Sequence, residues 1–442
     1  MYKRIIRNAG WLFSTQVLGG LVGVVTLAMM ARTVGPVGLG VIAIVQAYTR
    51  IVGRLIRLEP WQSVIRYRME ALEAGDTERF KRLLKASIII DMAGALVAGS
   101  VAVGLASVAI PLLNLSEEHT RYVQVLSLGL FFTLQPTGIA ILRVLDRFDL
   151  LARIDFSTVI VRFALTAVAF WFGSGIWAFI VILLVERILS GSLGFAFGLR
   201  ELRRRGYTQI LTPRLHGVLG KNPGFLRLLW NSNINVILRQ STQRFDIVIL
   251  SAFADTALVG AYFLARRLSH ATLRLVRPLS QAVYPELVRI WSSGTARAFR
   301  KPVVTTTLVL GGLSVVFYVP AAFYMGDLLA LFFGEGFRDA ALLVSVQLLA
   351  VAIYLSGIMA NPSMQTIRKD RELVWITLIA TVLFFALTVP LIVWLGPVGL
   401  SLNHVLFNLL WLGSCGVVIH DTVRARKTIE TRASPIQTEV HA

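Results

Sequence analysis

Cysteine, histidine clusters and charged residues are scarce in this chain, and each shortage excludes a class of chemistry. The 442 residues include one cysteine, Cys415, so no intrachain disulfide and no cysteine-based redox or metal motif can form. The six histidines are scattered without a pair at metal-ligand spacing. No glycine-rich phosphate-binding loop occurs, which argues against direct use of ATP. Charged residues make up only 15% of the chain, too few for an ordinary soluble enzyme.

Hydrophobic residues make up 56% of the chain and recur in runs long enough to cross the ~30 Å hydrocarbon layer of a bilayer. The sequence therefore predicts an all-α integral membrane protein with twelve transmembrane helices. The predicted spans are residues 9–31, 37–57, 86–109, 122–142, 154–172, 175–199, 229–250, 257–283, 302–324, 340–360, 373–395 and 399–420.

The net charge of +20 is explained by membrane topology. With twelve spans, 32 Lys and Arg residues lie on the side of the N-terminus and only three, Arg32, Arg121 and Arg338, on the other. The positive-inside rule then places both termini in the cytoplasm. The basic residues suit contact with anionic membrane lipids, and no nucleic-acid partner is expected.

An internal repeat divides the chain. An offset of 220 residues maps Gly40 onto Gly260 and Arg54 onto Arg274, and it carries the polar stripe of the second span onto the eighth. The stripe residues are Gln46, Arg50, Arg54 and Arg57, matched by Arg266, His270, Arg274 and Arg277. The predicted organisation is an N-terminal six-helix bundle over 1–200, a basic cytoplasmic linker over 201–228, a second bundle over 229–420 and a polar, disordered cytoplasmic tail over 421–442.

Cations outnumber anions within the predicted spans, and a cation facing lipid is costly. We therefore predict a hydrated, cationic central cavity. Its predicted ligand-binding residues are Arg50, Arg162, Arg239, Arg244, Arg266, Arg267, His270 and Arg274. A surplus of guanidinium groups suits a phosphate or pyrophosphate, which arginine can bind with two hydrogen bonds. For arginines near the span ends, such as Arg274, the alternative is a side chain that only extends to the lipid headgroups.

The acidic residues Asp91, Glu186 and Asp246 are predicted to neutralise these cations or to couple transport to protons. Glu186 is the expected partner of Arg162, and Asp246 that of Arg239 or Arg266. Asp146 and Asp149 lie on a basic turn without metal-ligand spacing, so a solvated turn is favoured over a metal site.

Several motifs occur in a fixed order along the chain. They are ARTVGPVGLG at residues 31–40, LRVLDRF at 142–148, RFD at 244–246, GAY at 260–262 and a second GPVGL at 396–400. In this order the chain resembles the polysaccharide (O-antigen type) flippases of the multidrug/oligosaccharidyl-lipid/polysaccharide exporter superfamily. The GPVGL repeats correspond to a short turn between spans that is typical of that group.

The resemblance implies two six-helix bundles around a central cavity, in the bacterial inner membrane. It also implies alternating access that moves an undecaprenyl-pyrophosphate-linked oligosaccharide from the cytoplasmic to the outer leaflet, for polysaccharide or lipopolysaccharide export. The implied energy source is an ion gradient or the membrane potential, with no cofactor and no metal, and polysaccharide assembly enzymes are implied partners.

Three alternatives stay open. A drug or cation antiporter of the same fold would favour acidic or aromatic groups in the cavity, and the surplus of cations argues against it. A fourteen-span peptidoglycan-precursor flippase fits the length less well. An enzyme of glycan assembly would need a larger external domain than these short loops provide.

Overall fold

The computed structural model describes residues 2–58, 75–207, 218–222, 224–230 and 245–433, together with Tyr67 and Asn233. Within these residues the regular secondary structure is entirely helical. The first helices are α1 (Tyr2–Ile56), α2 (Thr77–Gly104), α3 (Ala106–Leu112), α4 (Thr120–Leu128), α5 (Gln135–Val144), α6 (Phe148–Trp171), α7 (Ile176–Arg204), α8 (Val218–Lys221) and α9 (Asp246–Ser251). They are followed by α10 (Thr256–Ser293), α11 (Ala296–Phe323), α12 (Met325–Phe333), α13 (Ala341–Ser356), α14 (Ala360–Thr366) and α15 (Asp370–Ala433). Short 3-10 helices lie at Glu117–His119 and Glu335–Ala340.

Seven helical segments of the described chain are long and apolar enough to cross a membrane. The chain is therefore an all-α, multi-pass membrane protein, as predicted. Two of the seven segments, Val17–Ile56 and Asp370–Thr428, each combine two predicted spans. The count of twelve spans and their grouping into two bundles stay predictions.

The two GPVGL motifs form the same kind of turn, one within α1 and one within α15. Gly35 has φ 66° and ψ −175°, and Gly396 has φ 60° and ψ −146°, a combination that only glycine adopts without strain. The following prolines, Pro36 and Pro397, disfavour helix at the preceding residue and then start the next helix. The predicted short turn between spans is confirmed at both places.

Three predicted spans differ from continuous helices. The third is divided into α2 and α3 at Leu105, and the fourth into α4 and α5 by residues 129–134. The helix of the tenth ends at Ser356, and α14 begins only at the last predicted residue, Ala360. Pro136 lies in the first turn of α5, where a proline is tolerated because its missing N–H would have no partner within the helix. Hydropathy averaged over a window of about 20 residues does not detect such a break, because the residues of the break are themselves largely apolar.

The chain separates into two compact units, Met1–Gly260 and Ala261–Ala442. In the first unit, the turn between α5 and α6, which was predicted to be solvated, is stabilised by ion pairs between side chains. Arg147 donates two hydrogen bonds of 3.0 Å to Asp149 and lies 2.7 Å from Glu201 on α7. Bonding to Asp149, more than that to Glu201, raises the pKa of Arg147. Within the described residues, no group of His, Cys, Asp or Glu could hold a metal here.

In the second unit, part of the predicted tail is ordered. Helix α15 continues to Ala433, so the prediction of disorder is wrong for 421–433, while 434–442 lie outside the described residues. Arg426 donates to the carbonyl oxygens of Trp291 at 2.5 Å and Gly294 at 2.7 Å, which caps the end of α10. Glu430 accepts a 3.0 Å hydrogen bond from the N–H of Ala296 at the start of α11. These contacts between helices order a segment whose own composition is polar.

Candidate functional site

The break in the fourth predicted span lies at the centre of the candidate site in the first unit. Between α4 and α5 the backbone of residues 129–134 leaves the helical path, so the carbonyl oxygen of Thr133 has no partner in the described backbone and is available to a side chain. The guanidinium of Arg57, the residue that follows α1, donates a 2.5 Å hydrogen bond to the carbonyl oxygen of Thr133. Arg57 is only 7% exposed. Broken helices that satisfy their backbone in this way commonly form the binding sites of transporters.

Asp91 stabilises the second half of the break. Its carboxylate, only 1% exposed, accepts hydrogen bonds from the N–H of Thr137 at 2.8 Å and from the Thr137 hydroxyl at 2.5 Å. Leu134 precedes α5 and has no side-chain acceptor, so Asp91 on α2 supplies the cap from a neighbouring helix. The structure thus gives Asp91 a capping role, which was not among the roles predicted for it.

Replacing Asp91 with alanine is expected to destabilise the protein by about 1–3 kcal/mol, because two buried donors of Thr137 lose their acceptor. Asp91→Asn keeps one acceptor oxygen and is expected to cost clearly less. Thermal unfolding of the purified variants in detergent measures the difference. Equal losses for both variants would show that the negative charge, and not the cap, is what the fold requires.

Arg187 on α7 is the second cation at the break. Its aliphatic stem passes over the backbone of Gly129, where an added Cβ would lie 2.7 Å from the Arg187 Cδ. Its Nη1 is buried and donates no hydrogen bond within the described part of the chain. Arg57 lies close enough to repel it. The break thus holds two arginines, and one of them has a donor that is still available.

Glu186 compensates the positive charge of Arg187 only in part, because its carboxylate is hydrogen-bonded to Arg162. Its two carboxylate oxygens lie 3.0 Å and 3.3 Å from Nη1 of Arg162 on α6, so the predicted pair is confirmed. The neighbouring positions 186 and 187 point about 100° apart on a helix, which directs Glu186 to α6 and Arg187 to the break. Arg162 is therefore largely neutralised and is a weaker ligand-binding residue than its position in the span suggested.

The polar stripe on α1 leads toward the break. Gln46 is buried, while Arg50 and Arg54 are partly buried. Nε of Arg50 donates a 3.0 Å hydrogen bond to the carbonyl oxygen of Gln46 one turn earlier. Arg50, Arg54 and Arg57 all make further contacts. The stripe therefore is a row of engaged arginines at one-turn intervals, and its last member bonds the broken helix.

The matching stripe lies on α10, at the beginning of the second unit. Arg266 is buried with 8% exposure, Arg267 lies over the ring of Phe263 at 4.8 Å, and His270 is partly buried. Arg274 is exposed. Whether it lines the cavity or extends to headgroups stays a prediction.

Three further predictions concern the seventh span. Arg239 and Arg244 lie outside the described residues. Asp246 is buried at the first residue of α9, and its Oδ1 accepts a 2.8 Å hydrogen bond from the N–H of Ile247. Its pairing with Arg239 or Arg266 stays a prediction.

Sequence reasoning missed the break itself and, with it, the importance of Arg57 and Arg187. Arg57 was recognised as the end of a polar stripe, but neither arginine was assigned to the ligand-binding set. Pro136 within the fourth predicted span was the available signal, because a proline is favoured in the first turn of a helix and disfavoured in its interior.

Comparisons with known proteins agree with this architecture. The family model described as polysaccharide biosynthesis protein matches residues 5–291. The inner membrane protein YghQ of Escherichia coli K12 is 26% identical over 345 residues, covering 77% of this chain and 95% of YghQ. Among solved structures, lipid II flippase MurJ in an inward closed conformation has a TM-score of 0.67 and 14% identity, covering 94% of this chain and 90% of that one.

A multidrug resistance transporter of the MATE family, in an inward-facing conformation, has a TM-score of 0.64 and 14% identity, covering 94% of this chain and 95% of that one. At this level of identity the two solved structures show a shared fold and nothing about the ligand. The family match is what bears on the biological role.

Proposed function

Because this chain belongs to the polysaccharide biosynthesis protein family, we propose that it is a flippase for a lipid-linked oligosaccharide. In this proposal it moves an undecaprenyl-pyrophosphate-linked oligosaccharide from the cytoplasmic to the outer leaflet of the bacterial inner membrane. The product then serves polysaccharide or lipopolysaccharide export, together with assembly enzymes.

The observation that carries the proposal is Arg187, an incompletely compensated arginine at the break in the fourth span. A buried cation without a hydrogen-bonded partner is expensive in a membrane protein and marks a functional site. Arg187, whose Nη1 is free within the described chain, packs over the backbone of Gly129 and lies close enough to Arg57 to be repelled by it. Guanidinium groups bind phosphate oxygens bidentately, so this arrangement favours a pyrophosphate over an organic cation.

The contacts of the three buried acidic residues indicate which of them is available for coupling. Asp91 caps α5 and Glu186 pairs with Arg162, so both carboxylates already have a structural partner. Asp246 is therefore the acidic residue that we propose for coupling to an ion gradient. The sugars would occupy the hydrated space while the prenyl chain stays in lipid, and alternating access would move the headgroup across.

The test is deletion of the protein in its native host, followed by two measurements. We expect lipid-linked oligosaccharide to accumulate at the inner leaflet and surface polysaccharide to disappear. The likeness in fold to a multidrug transporter makes an antiporter the second candidate. Unchanged polysaccharide with altered sensitivity to toxic cations would overturn the flippase and support that antiporter.

A further inference from the structure

The second unit contains a cavity of about 730 Å³ that the proposed transport function does not use. Its walls are α11 and α15. Gly357, from the break between α13 and α14, and Ala360, at the start of α14, complete the lining. This volume is in the range of small-molecule sites. All of its lining residues belong to the described part of the second unit, so the cavity is complete within that unit.

One end of the cavity is strongly cationic. Arg297, Arg300, His420, Arg424 and Lys427 line it, and the described lining contains no Asp or Glu. The side chains of Arg297, Arg300 and Arg424 form no ion pair and no hydrogen bond within the described chain. An anion could therefore bind these groups without first breaking a contact of the protein.

The rest of the cavity is apolar and follows the membrane-spanning direction. Val303, Val304 and Thr307 continue the lining along α11, and Leu412 and Gly416 do so along α15. At 1.5 Å per residue, the lining extends about 15 Å from Arg297 to Thr307. A cationic end that continues into an apolar channel along two helices matches a phosphate headgroup with its first acyl carbons, and matches free phosphate poorly.

The cationic end is held in position by the ordered part of the tail. Arg426 lies over the ring of Trp291 at 4.2 Å and bonds the end of α10, while Glu430 bonds the start of α11. Arg424 and Lys427 flank Arg426 on the same helix. The contacts of Arg426 with α10 and of Glu430 with α11 therefore hold the arginines of α11 and Arg424 of α15 in a fixed arrangement.

From this geometry we infer that the cavity between α11 and α15 is a binding site for a phospholipid with an anionic headgroup. The positive-inside count predicts this end of the helices to be cytoplasmic, so the lipid belongs to the inner leaflet. The acyl chain lies along Val304 and Gly416, and the phosphate is bound by Arg297, Arg300 and Arg424.

The test uses the full chain, delipidated in detergent and titrated with phosphatidylglycerol, with bound lipid counted by native mass spectrometry. The triple variant Arg297→Gln, Arg300→Gln, Arg424→Gln is expected to bind roughly a hundredfold more weakly, since each cation contributes about fivefold. Its control is Lys301→Gln, Arg368→Gln, Arg371→Gln, which removes the same charge from exposed positions outside the cavity. Equal weakening in both variants would overturn the site.

The apolar channel is tested separately. An added Cβ at Gly416 meets no atom within 4 Å, so Gly416→Trp fills the cavity without a clash at its base. Gly413 on the same helix is equally open but does not line the cavity, so Gly413→Trp is the matched control. We expect only Gly416→Trp to displace phosphatidylglycerol, and equal binding by both variants would contradict the inference.

Two further ligands, phosphatidylcholine and inorganic phosphate, test which kind of molecule the cavity binds. Phosphatidylcholine, which has the same chains but no net charge, is expected to bind at least tenfold more weakly than phosphatidylglycerol. Inorganic phosphate at the same concentration is expected to leave the lipid bound. Displacement by inorganic phosphate would assign the site to a free anion, and equal binding of both lipids would remove the role of the arginines.

Discussion

Replacing Arg187 with methionine is expected to lower polysaccharide export about tenfold or more while leaving the protein as stable as the wild type, or more stable. Methionine keeps the stem that packs over Gly129, so no cavity forms. It removes a buried donor without a partner and the repulsion from Arg57. A cation inside the membrane costs about 2.5–3.5 kcal/mol, so its removal is favourable for folding.

The loss of export has a separate cause. A hydrogen bond to a charged group contributes about 1.5–3 kcal/mol, and 1.4 kcal/mol corresponds to a factor of ten. Export should therefore fall by a factor of about ten or more. Arg187→Lys keeps the charge without the planar pair of donors, so it should restore export only in part.

The measurements are surface polysaccharide, protein abundance in the membrane and melting temperature in detergent. Arg204→Ala, at the exposed end of the same helix, is the control and should change none of them. A Met variant with lowered stability would show that Arg187 has a structural role. Normal export with normal abundance would remove the break from the ligand-binding site.

The sequence predicted best those features that depend on local chemistry. Gly35 and Gly396 are each followed by proline, and that pair is sufficient to define a turn between spans. The pair formed by Arg162 and Glu186 followed from the cost of a lone charge in a membrane, which requires a partner of opposite sign nearby. The match to the polysaccharide biosynthesis family confirms the relationship that the order of the motifs indicated.

Features that depend on contacts between distant helices were not predictable in the same way. In the sequence Arg426 and Glu430 are ordinary polar tail residues, and only their contacts with the ends of α10 and α11 order them. Asp91 was predicted to neutralise cations or to couple transport to protons, because nothing local identifies Thr137 as its partner, 46 positions away. In both cases a side chain caps the end of another helix, an interaction without a sequence pattern.

Gly40→Ala and Gly260→Ala are each expected to destabilise the protein by about 3 kcal/mol or more, although alanine is the better helix former. The backbones touch at these two residues. An ideal Cβ at Gly40 would overlap the carbonyl oxygen of Thr256, and one at Gly260 would overlap that of Pro36 and lie 2.8 Å from the backbone nitrogen of Gly40. The repeat in the sequence maps Gly40 onto the very residue that it contacts.

Gly20→Ala is the matched control on α1. An added Cβ there meets no atom within 4 Å, so the substitution should leave stability unchanged or raise it by up to about 1 kcal/mol. Thermal unfolding in detergent, with abundance in the membrane as a second readout, separates the three variants. A loss in Gly20→Ala equal to that in Gly40→Ala would mean that flexibility, and not close approach, explains the glycines.

The double variant gives the sharper result. Once one added methyl group has separated the two helices, the second meets less resistance, so the combined loss should be smaller than the sum of the single losses. Residues in direct contact typically show such an interaction energy of about 0.5–3 kcal/mol, whereas independent positions add. Strict additivity would contradict a shared contact between Gly40 and Gly260, because two substitutions at one interface cannot both act on the native separation.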